Sequence, residues 1–90
     1  MSTAIGFIET KGMVGMVSAT DSAAKAAKVQ ILKRIEIGGG FVTTVFSGDV
    51  GSVNAAVEAG VATLKDNGGQ LVASHVIPRP QPGVVEEFTR

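Results

Sequence analysis

The chain predicts an α+β domain: a four-stranded antiparallel sheet with two helices on one face, in the order β-α-β-β-α-β, and a short helical tail. Three observations predict it. Two strand-like runs, residues 31–37 and 41–46, flank Gly38-Gly39-Gly40, which is a hairpin signal. A stretch of helical period lies on each side of that hairpin. Two further apolar runs, residues 4–9 and 71–77, supply the remaining strands.

Taken in order, residues 4–9 are the first strand. Thr10 is a plausible N-cap for a helix over 12–28. Met13, Met16, Val17, Thr20, Ala24 and Ala27 form its inward stripe, and Ser18, Asp21, Ser22, Lys25 and Lys28 its polar one. Ala23, Ala24, Ala26 and Ala27 let this helix lie close to its neighbour. After the hairpin, Asp49 caps a second helix whose buried face is Val50, Val53, Val57, Val61 and Leu64. Asn67-Gly68-Gly69 ends it, because glycine accepts the left-handed cap. Residues 71–77 are the last strand, and Pro78, Pro80 and Pro82 stop further ladder pairing. Val84, Val85 and Phe88 make one apolar turn in the tail. One domain is expected over residues 1–90, with its core at 4–80 and a tail at 81–90. The pattern is ferredoxin-like in the broad sense. Many unrelated functions share it, so function must come from sites.

A hairpin turn needs one or two residues at positive φ, and glycine supplies these freely. Three glycines exceed that need. The plain reading is a floppy hairpin; the functional one is a bare backbone loop whose lack of side chains has a use.

Charged residues make up 18% of the chain, below the usual quarter, while 44% are hydrophobic and 12 are glycine. So small a domain has few charges to cover its surface. Neighbouring subunits are expected to bury the excess, which predicts a homo-oligomer. Net charge is zero, giving no electrostatic footprint for nucleic acid or an anionic membrane. The absence of cysteine excludes disulfides, thiol nucleophiles and thiolate metal sites. The N-terminus lacks the basic region of a signal peptide, and no apolar run approaches the roughly 18 residues of a membrane span.

The catalytic inventory is poor. His75 is the one histidine, and a lone strand histidine is more often structural than a ligand. No serine sits in a G-x-S-x-G elbow, and Glu86 and Glu87 lie together in the tail. No catalytic residue, cofactor or metal site is expected. The segment from Gly38 to Val42 has a partial likeness to the RNA-binding signature of domains with this element order. However, Ile37 stands where that signature has Lys or Arg, and Gly39 and Thr44 stand where it has aromatics.

Five motifs add up to a resemblance. They are Ile8-Glu9-Thr10-Lys11-Gly12; Asp21 with Lys25-Ala26-Ala27-Lys28-Val29; Ile37-Gly38-Gly39-Gly40; Gly48-Asp49-Val50 with Val53 and Ala59-Gly60; and His75-Val76-Ile77-Pro78-Arg79-Pro80. Together, over residues 4–80, the chain resembles a hexamer-forming bacterial microcompartment shell protein. The resemblance implies a non-enzymatic structural protein in the bacterial cytoplasm. Flat hexameric discs would tile edge to edge with each other, with other shell proteins and with pentameric vertex proteins, around a set of enclosed enzymes. It implies that Gly38, Gly39 and Gly40 line a central pore for small polar metabolites. Backbone N–H groups there favour anionic or hydrogen-bond-accepting solutes. Many relatives carry serine at the middle position, so Gly39 implies a wider opening.

It also implies that Lys25 and Arg79 sit at the seam between hexamers. Read alone, Lys25 is an ordinary helix lysine paired with Asp21; the resemblance reverses that preference. Ser18, Thr20, Ser22, Ala23 and Ala24 depart from the family's common residues, and the polar or smaller side chains are expected to loosen contacts between subunits or hexamers; Gln81, where many relatives have histidine, is expected to alter the fine geometry of the seam. The alternatives are a small-molecule-binding regulatory oligomer of the same fold, which would not form extended sheets, and more remotely an RNA-binding domain.

Overall fold

The structure, a computed structural model, describes residues 3–89. Its elements are β1 (Ala4–Lys11), α1 (Met13–Ala26), β2 (Gln30–Gly38), β3 (Phe41–Gly48), α2 (Val50–Asp66), β4 (Gln70–Ile77) and a short α3 (Val84–Thr89). The strands form one antiparallel sheet in the order β2-β3-β1-β4. Helices α1 and α2 pack on each other and on one face of that sheet, as expected.

Alternation along the central strands decides which face is the core. Ala4 and Ile8 of β1 and Val42 and Phe46 of β3 point to the helices and are buried with Met16, Val53, Ala56 and Val57. Thr44, in the same row, meets the Thr20 hydroxyl of α1 at 3.2 Å, so its buried hydroxyl is satisfied.

Helix α1 departs from expectation in two ways. Its N-cap is Gly12, not Thr10. Thr10 belongs to β1, and its hydroxyl donates to the Gly12 carbonyl at 3.1 Å, bracing the corner between strand and helix. The buried face is also turned: Met16, Ala19 and Ala23 are buried, while Val17 and Ala24 are exposed. The reason is the close approach of α2. A Cβ on Gly60 would stand 2.9 Å from the Ala19 carbonyl oxygen, so small residues occupy the contact and the bulkier Val17 is turned out. Ser22 accepts a hydrogen bond from the Thr63 hydroxyl at 2.6 Å and ties α1 to α2 within the subunit.

Helix α2 follows the sequence closely. The Asp49 carboxylate accepts the Ser52 N–H at 2.9 Å and the Ser52 hydroxyl at 2.8 Å. At the other end the Gly69 N–H reaches the Leu64 carbonyl and the Gly68 N–H that of Lys65, with Gly68 at φ +71. That is the paired closure of a Schellman motif. Val53, Val57 and Leu64 are buried as expected, joined by Ala56 and Gly60; Val50 is exposed and Val61 half-buried.

Candidate pore turn and edge residues

Strand register sorts the candidate residues to two ends of the sheet. Lys11 pairs with Phe41 and with Gln70, so the turn between β2 and β3 lies at that end. Ala4 pairs with Gly48 and Ile5 with Ile77, which defines the opposite end. Helix α1 starts beside the turn and runs away from it, carrying Lys25 about 18 Å along its axis. Strand β4 also runs away from the turn and delivers Pro78-Arg79-Pro80. Lys25 and Arg79 therefore share the end of the domain opposite Gly38-Gly39-Gly40. The whole is a slab with extents of 36 × 27 × 15 Å.

Gly39 and Gly40 are the central residues of the turn, at φ +66 and +82, as a type I′ turn requires. Gly38 precedes them at φ +92, where the β2–β3 register shifts between Glu36 and Gly38. All three glycines therefore meet a conformational demand, and the apparent surplus in the sequence is absent. Ile37 is the extra residue of this bulge and is 71% exposed. The turn is anchored: the Gly12 N–H donates to the Gly40 carbonyl at 2.7 Å. That bond holds the turn against the start of α1.

Lys11 is a neighbour of the turn that was not singled out from the sequence. Its ammonium lies 6.0 Å from the centre of the Phe41 ring, at the outer reach of a cation–π contact. The strand pairing that sets Lys11 opposite Phe41 was the signal that would have found it. At the other end, Lys25 pairs with Asp21 at 2.7 Å, both side chains well exposed. Arg79 is exposed between its two prolines.

Among the described residues, no group of three or more His, Cys, Asp or Glu side chains converges to hold a metal. His75 is exposed and pairs in register with Phe7, on the face of the sheet away from the helices.

Comparison with known proteins decides between the readings. The BMC domain family model matches residues 4–80. The chain belongs to the bacterial microcompartment shell family. It is 46% identical over 86 residues to carboxysome shell protein CsoS1A of Hydrogenovibrio crunogenus, covering 96% of this chain and 90% of the relative. It is 47% identical over 81 residues to the probable carboxysome shell protein CsoS1E of Prochlorococcus marinus, covering 90% of this chain but only 40% of that relative's length. A crystal structure of a microcompartments protein from Desulfitobacterium hafniense shares the fold with a TM-score of 0.82 at 24% identity, over 91% of this chain and 44% of the other.

This shell protein thus has a structural role, and the regulatory ligand-binding alternative finds no support in its relatives. The matched segment contains the glycine turn and both Lys25 and Arg79, while α3 lies beyond it.

Proposed function

We propose that this shell protein forms hexameric rings with the Gly38-Gly39-Gly40 turns around a central pore, and that the rings tile through Lys25 and Arg79. One observation carries the reading. The turn and the two cationic residues lie at opposite ends of a slab 15 Å thick, which suits a wedge with one end at an axis and the other at a rim. Surface left bare on the chain points the same way. Val14 is 83% exposed and Ile37 71%, both near the turn, where ring closure would bury them. The anchored turn offers backbone groups and the neighbouring Lys11 charge to a solute, which favours small anions and hydrogen-bond acceptors.

The partners in this reading are further copies of the chain, other shell proteins including pentameric vertex proteins, and the enclosed enzymes. The relatives' carboxysome names make a carboxysome the first compartment to test. Catalysis has no part in it. Electron microscopy of the purified protein tests the reading. Sheets, tubes or rosettes of six-fold rings are the expected outcome; isolated dimers, trimers or monomers would overturn it.

A further inference from the structure

Two flanks of the domain remain outside the turn and the edge. On one, an open groove of about 380 Å³ lies between α1 and β2, lined by Met13, Val17, Ile31 and Arg34 among others. Helix α1 packs on β1 and β3, and α2 on β1, β3 and β4, so the helix side of β2 is left open. Val17 is 60% exposed here and Ile31 47%. On the opposite flank a groove of about 310 Å³ is lined by Glu58, Val61, Ala62 and Ser74 among others. Each flank carries apolar surface; the first also holds Arg34 and Asp21, the latter paired with Lys25, and the second holds Glu58 and Lys65.

We propose that the α1–β2 groove seats the β4–α2 flank of the next copy in the ring, and that Arg34 pairs there with Glu58 of the partner subunit. This rests on the reading that the glycine turn faces the ring axis. Rotation about an axis preserves radius and height, so residues meet across a ring boundary only where both match. A ring contact is also heterologous, joining one flank to the other. Strand register supplies the match in radius. Arg34 pairs with Thr44, Thr44 with Ile8, and Ile8 with Ser74, a single row across the sheet. Glu58 shares the groove of Ser74 at the far end of that row. The match in height follows from Thr44, whose hydroxyl meets Thr20 of α1, which places the row on the helix side. Arg34 holds Glu36 at 3.1 Å, and a guanidinium with five donors takes a second carboxylate. Apolar surface on both flanks and opposite charge on one row make a second copy the occupant.

The chain contains no cysteine, so introduced pairs can be read without background. Within one protomer Glu58 of α2 shares the groove of Ser74 on β4, and β4 is three strand spacings from β2, about 14 Å, too far for a disulfide between Arg34→Cys and Glu58→Cys. Oxidation of the Arg34→Cys/Glu58→Cys double variant is expected to give a covalent ladder reaching the ring size on a non-reducing gel, with no ladder from either single variant. Separately, Glu58→Arg is expected to shift sedimentation from ring to smaller species, and Arg34→Glu/Glu58→Arg to restore the ring, with circular dichroism reporting folding throughout. A wild-type protein that sediments as a monomer overturns the ring reading and this inference with it. A wild-type ring whose double-cysteine variant gives no ladder overturns this inference alone. A ladder from a single-cysteine variant overturns the heterologous seating. A ladder combined with intact Glu58→Arg rings, or with no restoration by the charge swap, overturns the ion pair.

Discussion

Gly39 sits at φ +66, where asparagine is accommodated and most other side chains cost about 1–2 kcal/mol. A Cβ there would lie 3.3 Å from the edge of the Phe41 ring, which can turn aside. Gly39→Asn is therefore expected to fold and assemble, and to place one amide per subunit in the proposed opening. Flux of a small anion into assembled shells is expected to fall while the melting temperature holds. Unchanged flux through intact shells would move the route elsewhere. Gly39→Leu is the poorer probe, because backbone strain would lower stability before any blockage could be read. Asp49 offers a separate handle. The Ser52 N–H, and after it the Ser52 hydroxyl, hold its carboxyl below the ordinary value of 3.8. A folded value below the unfolded one means that the charged cap favours the fold. Its contribution is complete above the ordinary value and is lost as pH falls through the lowered one. Melting curves from pH 7 into that acid window are expected to steepen for the wild type relative to Asp49→Asn, which keeps an acceptor but does not titrate. Parallel curves for the two proteins would mean that the cap carries no pH dependence.

The contact between α1 and α2 turns on Gly60. A Cβ there would lie 2.6 Å from Ile8 Cδ1, which can move, and 2.9 Å from the Ala19 carbonyl, which is backbone and cannot move without the helix. Gly60→Ala is expected to destabilise the domain by about 1–3 kcal/mol in urea unfolding, despite the better helix propensity of alanine. A neutral or stabilising result would mean that the helices pack less closely than described. The same contact explains what could be read from the sequence. Element order, the hairpin, the Asp49 cap and the glycine closure of α2 are local, set by turn and capping chemistry within a few residues, and all were legible. The orientation of α1 was not. Its stripe contains both valines and alanines, and hydropathy favours burying Val17 over Ala19, whereas the choice is made by a glycine forty-one positions away on α2. Thr10 was misplaced for a related reason: its hydroxyl serves the strand-to-helix corner, which depends on Gly12 taking φ +105. The glycine turn and the two cationic residues were found as motifs. Their placement at opposite ends, and Lys11 beside the turn, came only with strand register.

A shell of tiled rings needs two kinds of contact, those that close a ring and those that join rings, and the proposed reading assigns the first to the flanks of this slab and the second to the end that carries Lys25 and Arg79. Lys25 lies on the exposed C-terminal part of α1, and its pair with Asp21 is a surface i,i+4 contact worth a few tenths of a kcal/mol. Removing it barely touches the core, so Lys25→Ala is expected to unfold within about 0.5 kcal/mol of the wild type. It does not line the α1–β2 groove proposed to close the ring, so ring formation is expected to survive. At a rim the consequence differs. The aliphatic stem would pack against the next ring while the ammonium bonds to its carbonyls. Six such edges per ring multiply a small loss across a sheet. Lys25→Ala is therefore expected to sediment as an intact ring yet to yield few or no sheets by electron microscopy. Arg79→Ala is expected to act in the same direction and more strongly, since a guanidinium held between two prolines brings more donors at lower entropic cost. Glu58→Arg is expected to fail at the earlier step, losing the ring itself. If Lys25→Ala dissociates the ring, or forms sheets as readily as the wild type, the rim lies elsewhere on the slab and the radial orientation of the wedge is wrong.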